Sequence, residues 1–516
     1  MIYLAFILHM HQPYYKNLLT GEAELPWVRL HGTKDYLDMA LFLDEFPPLH
    51  QTFNVVPCLF EQIEDYVSGA LTDRFLKLSY KKADELTNEE KSFIREHFFS
   101  ADLNRIIAVH PRYYNLFLHK HSDYAFSDQD YLDLQVWFNL SWFDPRFRQD
   151  IPELRNLVKK ARYFTEEDKK IVLDKQFDVL KQIIPTYKRF QEEGRLEVSI
   201  SPYFHPILPL LFSSFAARDA NKLTPLPRAI FSHPEDVIWH VQAAKEYYVS
   251  RFGMDPRGMW PSEQAISPEI LPILSKSKLR WIVADEGILW KTFKKIKRDG
   301  RLLYRPYSMQ IGDDSLAVVF RDRYLSDLIG FEYQHWRTKD AVDNFMHHLL
   351  KIQEYFGDED CFLTVALDGE NAWEYYRNDG RDFLRLFYGR IAETSYIKTV
   401  TVSEYLDAHA ATHRLPFLAP GSWIHGDFNK WMGHPAKNKA WEYVTEARHL
   451  LTEEKMRDER LLKQMHVLEG SDWFWWYGER NKSFDELFRL HLKNYYQMLG
   501  VAPKVDLNIP LDAATT

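Results

Sequence analysis

Two acidic residues occupy positions from which carboxylates often do chemistry. Glu263 lies in the segment GMWPSEQAIS, three residues after Trp260, where a short strand should run into a loop. Asp368 follows the apolar run 362–367, which predicts a buried strand. If both strands belong to one barrel, the two acids face one cleft. Such a pair can cleave a glycosidic bond, because one carboxylate attacks or stabilises the anomeric carbon while the other donates and then accepts a proton.

Two questions about this pair stay open at the level of sequence. Asp368 could instead cap the helix that ENAWEYY begins, since aspartate satisfies free amide groups there. The distance between the two carboxyl groups decides the stereochemistry, about 5 to 5.5 Å for retention and about 6.5 to 9.5 Å for inversion.

A pair of histidines follows the first predicted strand, the apolar run 2–8. Residues two apart in an extended chain point to the same side, so His9 and His11 should project together at the carboxyl end of that strand. With an acid such as Asp368 or Asp285, they would suffice for a zinc site.

Strands alternate with helix-period segments along most of the chain, which predicts an α/β fold with a parallel sheet closed as a barrel. We expect a catalytic barrel over residues 1–403, with a helical insertion at about 67–193, and a helical domain over 404–516. The predicted strands are 2–8, 51–56, 196–200, 257–260, 279–284, 316–321, 361–367 and, as the last, 398–402.

Composition restricts the class of protein. The 516 residues are 46% hydrophobic and 27% charged, with a net charge of −9 and no long basic run, which argues against a nucleic-acid partner. The amino terminus is too short and lacks the basic residues of a secretion signal, and no stretch approaches the roughly 20 apolar residues of a membrane span. We therefore expect a cytoplasmic protein, with Cys58 and Cys361 as buried, reduced thiols.

Four segments follow one another along the chain: HMHQP at 9–13, GRLEVSISPYFHPILPLL at 194–211, GMWPSE at 258–263 and LDGENAWEYY at 367–376. Four more accompany them: FNVVP at 53–57, FRDRYLSDLIGF at 320–331, GSWIHGDFNKWMGHPAKNKAW from 421 and GSDWFWWYG from 470. In this order, these segments resemble the motifs of glycoside hydrolase family 57.

The resemblance implies an incomplete (β/α)7 barrel with a carboxyl-terminal helical domain, acting on α-glucans with retention. It implies that Glu263 is the nucleophile and Asp368 the general acid/base, and that no metal or other cofactor takes part. Arg321 and the histidines could orient Glu263 and the sugar, and tryptophans could stack on it. The substrate-contact candidates are His9, His11, Gln12, Glu197, His205, Trp260, Arg321, Trp373, Trp423, Trp431, Asp472 and Trp473.

The motifs are closer to the α-amylase and amylopullulanase branch than to the branching enzymes, because the first ends in Gln-Pro and the fourth reads DGEN. We expect hydrolysis of α-1,4-glucosidic bonds, with 4-α-glucanotransfer or α-1,6 activity as alternatives. Two other classes stay open: a zinc-dependent deacetylase- or mannosidase-like enzyme, and a non-catalytic glucan-binding homologue. The oligomeric state is open as well.

Overall fold

A ring of seven parallel strands forms the centre of the computed structural model, which describes residues 1–294, 296–370, 372–479 and 481–512. Its strands are Ile2–Met10 (β1), Gln51–Val55 (β2), Leu196–Ile200 (β3), Gly258–Met259 (β4), Trp281–Asp285 (β5), Asp314–Arg321 (β6) and Cys361–Asp368 (β7). They are ordered β7, β1, β2, β3, β4, β5, β6. A pairing of Arg321 with Thr364 joins β6 to β7 and closes the ring. The predicted seven-stranded barrel is confirmed.

The interior of the barrel is filled by small and β-branched side chains, among them Ala5, Ile7 and Val283, all fully buried. Strand β4 is the shortest, and its Gly258 lies against the indole of Trp281 on β5. A Cβ atom on Gly258 would sit 1.9 Å from that ring, so only glycine allows β4 to pair here. This close approach sets the position from which the chain enters the Glu263 loop.

The last predicted strand, 398–402, is wrong in extent and in place. The strand found there, Ile397–Thr399, pairs with Ile2–Leu4 at the start of β1 and is not one of the seven barrel strands. A helix, Val402–Ala408, begins where the strand was expected to continue. Thr401 and Glu404 form a capping box at its start, a signature that the strand prediction overlooked.

A hairpin beside the barrel was missing from the prediction. Tyr307–Ile311 pairs antiparallel with β6 through a tight turn that contains Gly312, whose φ of +61° favours glycine. The short strand His413–Arg414 then adds to the outer edge of this hairpin. The strand prediction began only at residue 316 because it took the polar start of β6 for a loop.

Helices surround the barrel and connect most of its strands. One of them, Leu271–Lys276, follows a turn that residues 268–270 form after Ser267. The helices of this layer are Trp27–Lys34, Tyr36–Glu45, Pro57–Ser68, Leu208–Phe212, Ala216–Ala220, Pro234–Phe252, Leu271–Lys276, Glu286–Thr292, Gly300–Leu303, Arg323–Asp327, Thr338–Phe356, Arg381–Glu393 and Val402–Ala408.

The stretch between β2 and β3 is almost wholly helical, as predicted. One two-residue strand, Thr72–Asp73, interrupts it and pairs with Glu22–Ala23. Its helices are Arg74–Tyr80, Asn88–His97, Pro111–Leu118, Asp128–Ser141, Pro145–Asp150, Pro152–Lys160, Glu166–Leu180 and Ile183–Glu192. The proposed domain boundaries stay a prediction.

Four helices form the carboxyl-terminal region, Pro435–His449, Glu459–Leu468, Ser471–Trp475 and Lys482–Leu499. They pack on the barrel through buried polar contacts. The Arg448 guanidinium donates to Asp236 at 2.7 Å, and His491 approaches the backbone oxygen of Tyr14 at 3.1 Å. No helix in the described part of the chain combines the length and apolarity needed to cross a bilayer.

Glu197 connects β3 to β5 and to the helix Val402–Ala408 through buried hydrogen bonds. It is the second residue of β3 and is 7% exposed. Its carboxylate accepts hydrogen bonds from the Trp281 indole at 2.9 Å and from the Ser403 amide and hydroxyl at 2.9 and 2.6 Å. Strand pairing sets Glu197 level with Thr52 and Ile7, two residues before His9 on β1. A contact between Glu197 and substrate stays a prediction.

The Glu197→Ala substitution should lower the free energy of unfolding by about 2 to 4 kcal/mol, because it removes the acceptor of three buried hydrogen bonds. Urea unfolding of this variant and of Glu192→Ala, an exposed acid on the preceding helix, measures the effect. We expect the control to match the unsubstituted protein. Equal stability of all three proteins would contradict the anchoring role.

Candidate active site

A cavity of about 530 Å³ opens at the end of the barrel where β1 and β7 finish. Both candidate catalytic acids, Glu263 and Asp368, line it, although they come from loops 105 positions apart (368 − 263). Residues from β1, the helical stretch and the carboxyl-terminal region complete the wall. They include His9, His11, Gln12, Trp27, Asp102, Trp142, His205, Glu370, Glu374, Trp423, Asp472, Trp475, Trp476 and Phe484.

Glu263 is held in a strained turn against the indole of Trp423. Glu263 and Gln264 both have positive φ angles, +57° and +49°, a conformation that side-chain-bearing residues rarely adopt outside functional sites. The Trp423 indole donates to Oε2 of Glu263 at 2.7 Å, and the Trp423 amide donates to its backbone oxygen at 3.1 Å. One carboxylate oxygen of Glu263 is thus fixed by Trp423.

The charge state of Glu263 follows from its surroundings. Burial, and after it the nearby Asp368 carboxylate, raise the pKa of Glu263 to about 8, although the Trp423 hydrogen bond opposes the rise. Two carboxylates this close in a poorly solvated site share a proton near neutral pH. The sequence analysis placed that proton on Asp368. In the structure, the surroundings of Glu263 favour the protonated form of Glu263.

Asp368 takes its position from the strand register. It ends β7, where it is paired with His9 of β1. His9 is paired on its other side with Asn54 of β2, and its Nδ1 lies 2.6 Å from the Asn54 oxygen. The barrel itself therefore brings a histidine and a carboxylate to one edge of the cavity.

Two histidines at the cavity floor, His9 and His205, are neutral and lie in a stack of aromatic rings. His9 lies parallel to Trp260 with ring centroids 4.8 Å apart, and His205 stacks on His11 at 4.0 Å. Burial, and then the charge of His11, lower the pKa of His9 to about 3 and hold that of His205 well below its usual range. Neutral imidazoles of this kind suit hydrogen bonding to hydroxyl groups.

Glu370 is a third cavity carboxylate, which the sequence analysis did not select. It is 1% exposed and accepts from the His11 amide at 3.0 Å and from Gln12 at 3.4 Å. Burial and the neighbouring Asp368 raise its pKa well above the usual range. Its spacing of two residues from Asp368 was the available signal, since alternate residues of an extended chain share a side.

A family model described as glycosyl hydrolase family 57 matches residues 5–417 of the chain. The chain belongs to glycosyl hydrolase family 57. Curated relatives include the alpha-amylase of Pyrococcus furiosus, 25% identical over 234 residues that make up 44% of this chain and 30% of the relative. The 4-alpha-glucanotransferase of Thermococcus kodakarensis is 23% identical over 221 residues, 42% of this chain and 28% of the relative. The chain thus matches less than a third of the length of these relatives.

Solved structures show the same fold over the whole chain. A family 57-type branching enzyme from Pyrococcus horikoshii superposes with a TM-score of 0.62 at 19% identity, covering 98% of this chain and 93% of that one. An alpha-amylase from Thermotoga maritima gives a TM-score of 0.57 at 15% identity and covers 100% and 99% of the two chains. At these identities the likeness establishes the fold alone.

Most of the tryptophans proposed from the sequence as stacking platforms are buried. Trp260, Trp373, Trp431 and Trp473 are between 0 and 2% exposed. The Trp373 and Trp473 indoles donate to the backbone oxygens of Gly369 and Val467, respectively. These four residues belong to the core of this family 57 fold, and only Trp423 of the proposed platforms lines the cavity. The tryptophan, tyrosine and phenylalanine residues that do line it with Trp423 are Tyr15, Trp27, Trp142, Trp475, Trp476 and Phe484.

Arg321 acts behind the cavity wall. Its guanidinium donates to the Ala366 oxygen at 2.6 Å and lies 5.3 Å from the centre of the Trp423 ring. It also pairs with Asp285, which a second arginine, Arg323, contacts as well. The proposed orientation of Glu263 by Arg321 is thus indirect, through Trp423, and these ion pairs keep Asp285 from serving as a metal ligand beside the histidines.

Three donor groups in the cavity lie close enough to hold a metal ion. The ligand atoms of His11, His205 and Asp472 lie within 4.8 Å of one another, and His11 Nε2 is 2.8 Å from the Asp472 carboxylate. Nε2 of His205 is buried without a hydrogen-bond partner. This set differs from the one inferred from the sequence, since His205 and Asp472 replace His9 and Asp285.

The Glu263→Gln substitution should stabilise the fold, and more so as pH rises. Between the ordinary pKa of 4.5 and the raised value of about 8, the folded protein retains a proton that the unfolded chain has released. The free energy of unfolding therefore falls over this range, by on the order of 2 to 4 kcal/mol. Glutamine carries no charge and avoids the loss.

Urea unfolding at pH 5 and pH 8 tests this expectation. The gain from Glu263→Gln should be small at pH 5 and large at pH 8. Glu269→Gln, an exposed acid six residues further on, should show no such dependence on pH. A constant difference at both pH values would show that Glu263 ionises in the fold as it does in water.

Proposed function

We propose that this family 57 member cleaves α-1,4-glucosidic bonds with retention of configuration, through a glycosyl-enzyme intermediate on Glu263. The observation that carries the proposal is the meeting of Glu263 and Asp368 in one cavity, each within a segment that resembles a motif of the family. The relatives named alpha-amylase and 4-alpha-glucanotransferase support an α-glucan as the substrate.

In this proposal the two carboxylates share one proton through the cycle. Glu263 passes its proton to Asp368 as the sugar binds and then attacks the anomeric carbon, while Asp368 donates that proton to the departing oxygen. The Trp423 indole, fixed 2.7 Å from Oε2 of Glu263, stabilises the ionised form. Once Glu263 is esterified its charge is gone, and Asp368 then acts as the base that activates the acceptor.

In this proposal, the residues around the two acids bind the sugar and take no direct part in cleaving the glycosidic bond. Neutral His9 and His205 hydrogen-bond to sugar hydroxyls without adding positive charge. Asp472 is held by His11 at 2.8 Å and faces the same space. The aromatic rings of Trp423, Trp475 and Trp476 offer flat surfaces for the C–H faces of glucose rings. A linear neutral oligosaccharide suits such a cleft.

Glu263→Gln and Asp368→Asn should each lower kcat/KM on maltooligosaccharides by at least about 10³-fold. Their behaviour should diverge on a glucosyl substrate with a good leaving group. Asp368→Asn should recover the first chemical step, because no acid is needed there, whereas Glu263→Gln should stay inactive. Glu269→Gln serves as the control. Recovery in Glu263→Gln instead would reverse the two roles.

A hydrolase and a transferase differ in whether water or a sugar hydroxyl attacks the glycosyl-enzyme intermediate. The lengths of the product chains show which of the two reacts. Incubation of the unsubstituted protein with maltotriose should give only glucose and maltose if water is the acceptor. Maltotetraose and longer products would show glucanotransfer, the close alternative. Parallel digestion of amylose and pullulan tests α-1,4 against α-1,6 cleavage, and we expect amylose alone to be shortened.

The donor cluster of His11, His205 and Asp472 supports a second candidate, a zinc-dependent enzyme that deacetylates a polysaccharide. Exhaustive chelation followed by metal analysis distinguishes the two. A glucanase of the proposed type keeps its activity without metal, and a deacetylase loses it and releases acetate. A non-catalytic glucan-binding role is disfavoured because both acids face the cavity. The cytoplasmic location and the oligomeric state stay predictions for experiment.

A further inference from the structure

A second cavity, of about 470 Å³, lies between the helices that connect β2 to β3 and the loop that follows β7. It adjoins the active-site cavity, since Glu374 lines both. Helix Pro152–Lys160 forms one wall, and residues 376–379 form another. We call it the basic cavity after its cationic lining residues, Lys34, Arg105, Arg148, Arg155 and Lys159.

Four of the five cations of the basic cavity form no ion pair in the described part of the chain. The lining also contains two carboxylates, Glu374 and Asp379. Lys34 is neutralised by Asp35 at 2.7 Å and by Asp379 at 3.0 Å. Arg148 is attracted by the carboxylates of Asp144 and Asp379, but neither forms an ion pair with it. The lining therefore offers an anion several cations that have no ion-pair partner.

Arg148 shows most clearly that this charge is held in place. Its side chain is only partly exposed, and one guanidinium nitrogen donates to Nε2 of His110 at 2.8 Å. Burial, and then the charge of Arg148, lower the pKa of His110 to about 3, so His110 is a neutral acceptor. His110 is itself braced by stacking on Trp137 at 4.4 Å. The carboxylates of Asp144 and Asp379 attract the Arg148 guanidinium without forming an ion pair with it, so a bound anion would further offset the cost of its burial.

The shape and charge of the basic cavity favour one chemical class of anion. Arginine forks match the oxygens of a phosphoryl group, and several cations together suit a double negative charge. Phe143, Pro145 and Val158 provide an apolar wall, and the Glu374 carboxylate can accept from hydroxyl groups. A phosphate bound to a sugar satisfies both parts of the lining.

We propose that the basic cavity binds the phosphate monoester of a sugar. The group can arrive on a free sugar phosphate or on a phosphorylated glucan whose chain continues into the neighbouring active site. Only the second source rests on the proposed α-glucan activity. Binding in itself does not, because no residue that carries the phosphate belongs to the catalytic pair.

Calorimetric titration with glucose 6-phosphate tests the proposal, with glucose as the neutral reference. Glucose 6-phosphate should bind and glucose should not, and added salt should weaken the binding. The double substitution Arg155→Gln/Lys159→Gln should weaken it at least tenfold. Both side chains are exposed, so the fold should be unaffected. Lys181→Gln/Lys222→Gln removes two exposed cations outside the cavity and should bind as the unsubstituted protein does.

A second arm compares phosphorylated amylopectin with the same polymer after phosphatase treatment, in co-sedimentation with the protein. Retention that needs the phosphate groups and is lost in Arg155→Gln/Lys159→Gln would support the glucan-borne source. Binding of glucose 6-phosphate that is lost in the same variant would support the free source. The proposal is overturned if neither ligand binds, or if the cavity variant binds both as well as the control variant. Because the readout is binding, failure of catalysis would not affect it.

Discussion

The register between the first and last barrel strands is the constraint on which the site depends. Parallel pairing of β1 with β7 runs from Ile2 opposite Cys361 to His9 opposite Asp368. The eight paired positions fix the two polar residues side by side at the mouth. A shift of one residue would turn both side chains to the other face of their strands and empty this edge of the cavity. The relative position of His9 and Asp368 is therefore fixed by the backbone hydrogen bonds between β1 and β7.

A second constraint comes from the carboxyl-terminal loop that covers Glu263. Gly421 and Ile266 form a two-way backbone bridge at 3.0 and 2.8 Å, which brings Trp423 onto the carboxylate. A Cβ atom on Gly421 would lie 2.3 Å from the backbone oxygen of Gly426, so this approach requires glycine. A segment about 160 residues away in sequence thereby supplies the hydrogen bond that favours the ionised form of Glu263.

The barrel was predictable from the sequence because its strands are buried on both faces and read as apolar runs. Acids and histidines at strand ends could be selected for the same reason, since strand ends meet at one mouth. The tryptophans could not be assigned to core or cavity in this way, because an indole side chain suits both. Trp473 is buried and Trp475 lines the cavity, although they lie two residues apart in one aromatic run. The hydrogen bonds of Glu197 to Trp281 and Ser403 could not be predicted either, because a motif match does not tell which neighbours a buried carboxylate has.

The carboxyl-terminal region also supplies polar groups to the active-site cavity, and a buried carboxylate holds the segment that carries them. Glu469 is fully buried between His240 and His466, at 2.8 and 2.9 Å. The following residues run directly into the site: Gly470 bridges to the backbone of Pro206, Ser471 lies 3.0 Å from His205, and Asp472 lies 2.8 Å from His11. Three consecutive residues are thus placed by one buried carboxylate, and the two histidines they organise belong to different barrel loops. The catalytic mouth is consequently assembled only when the carboxyl-terminal helices dock on the barrel.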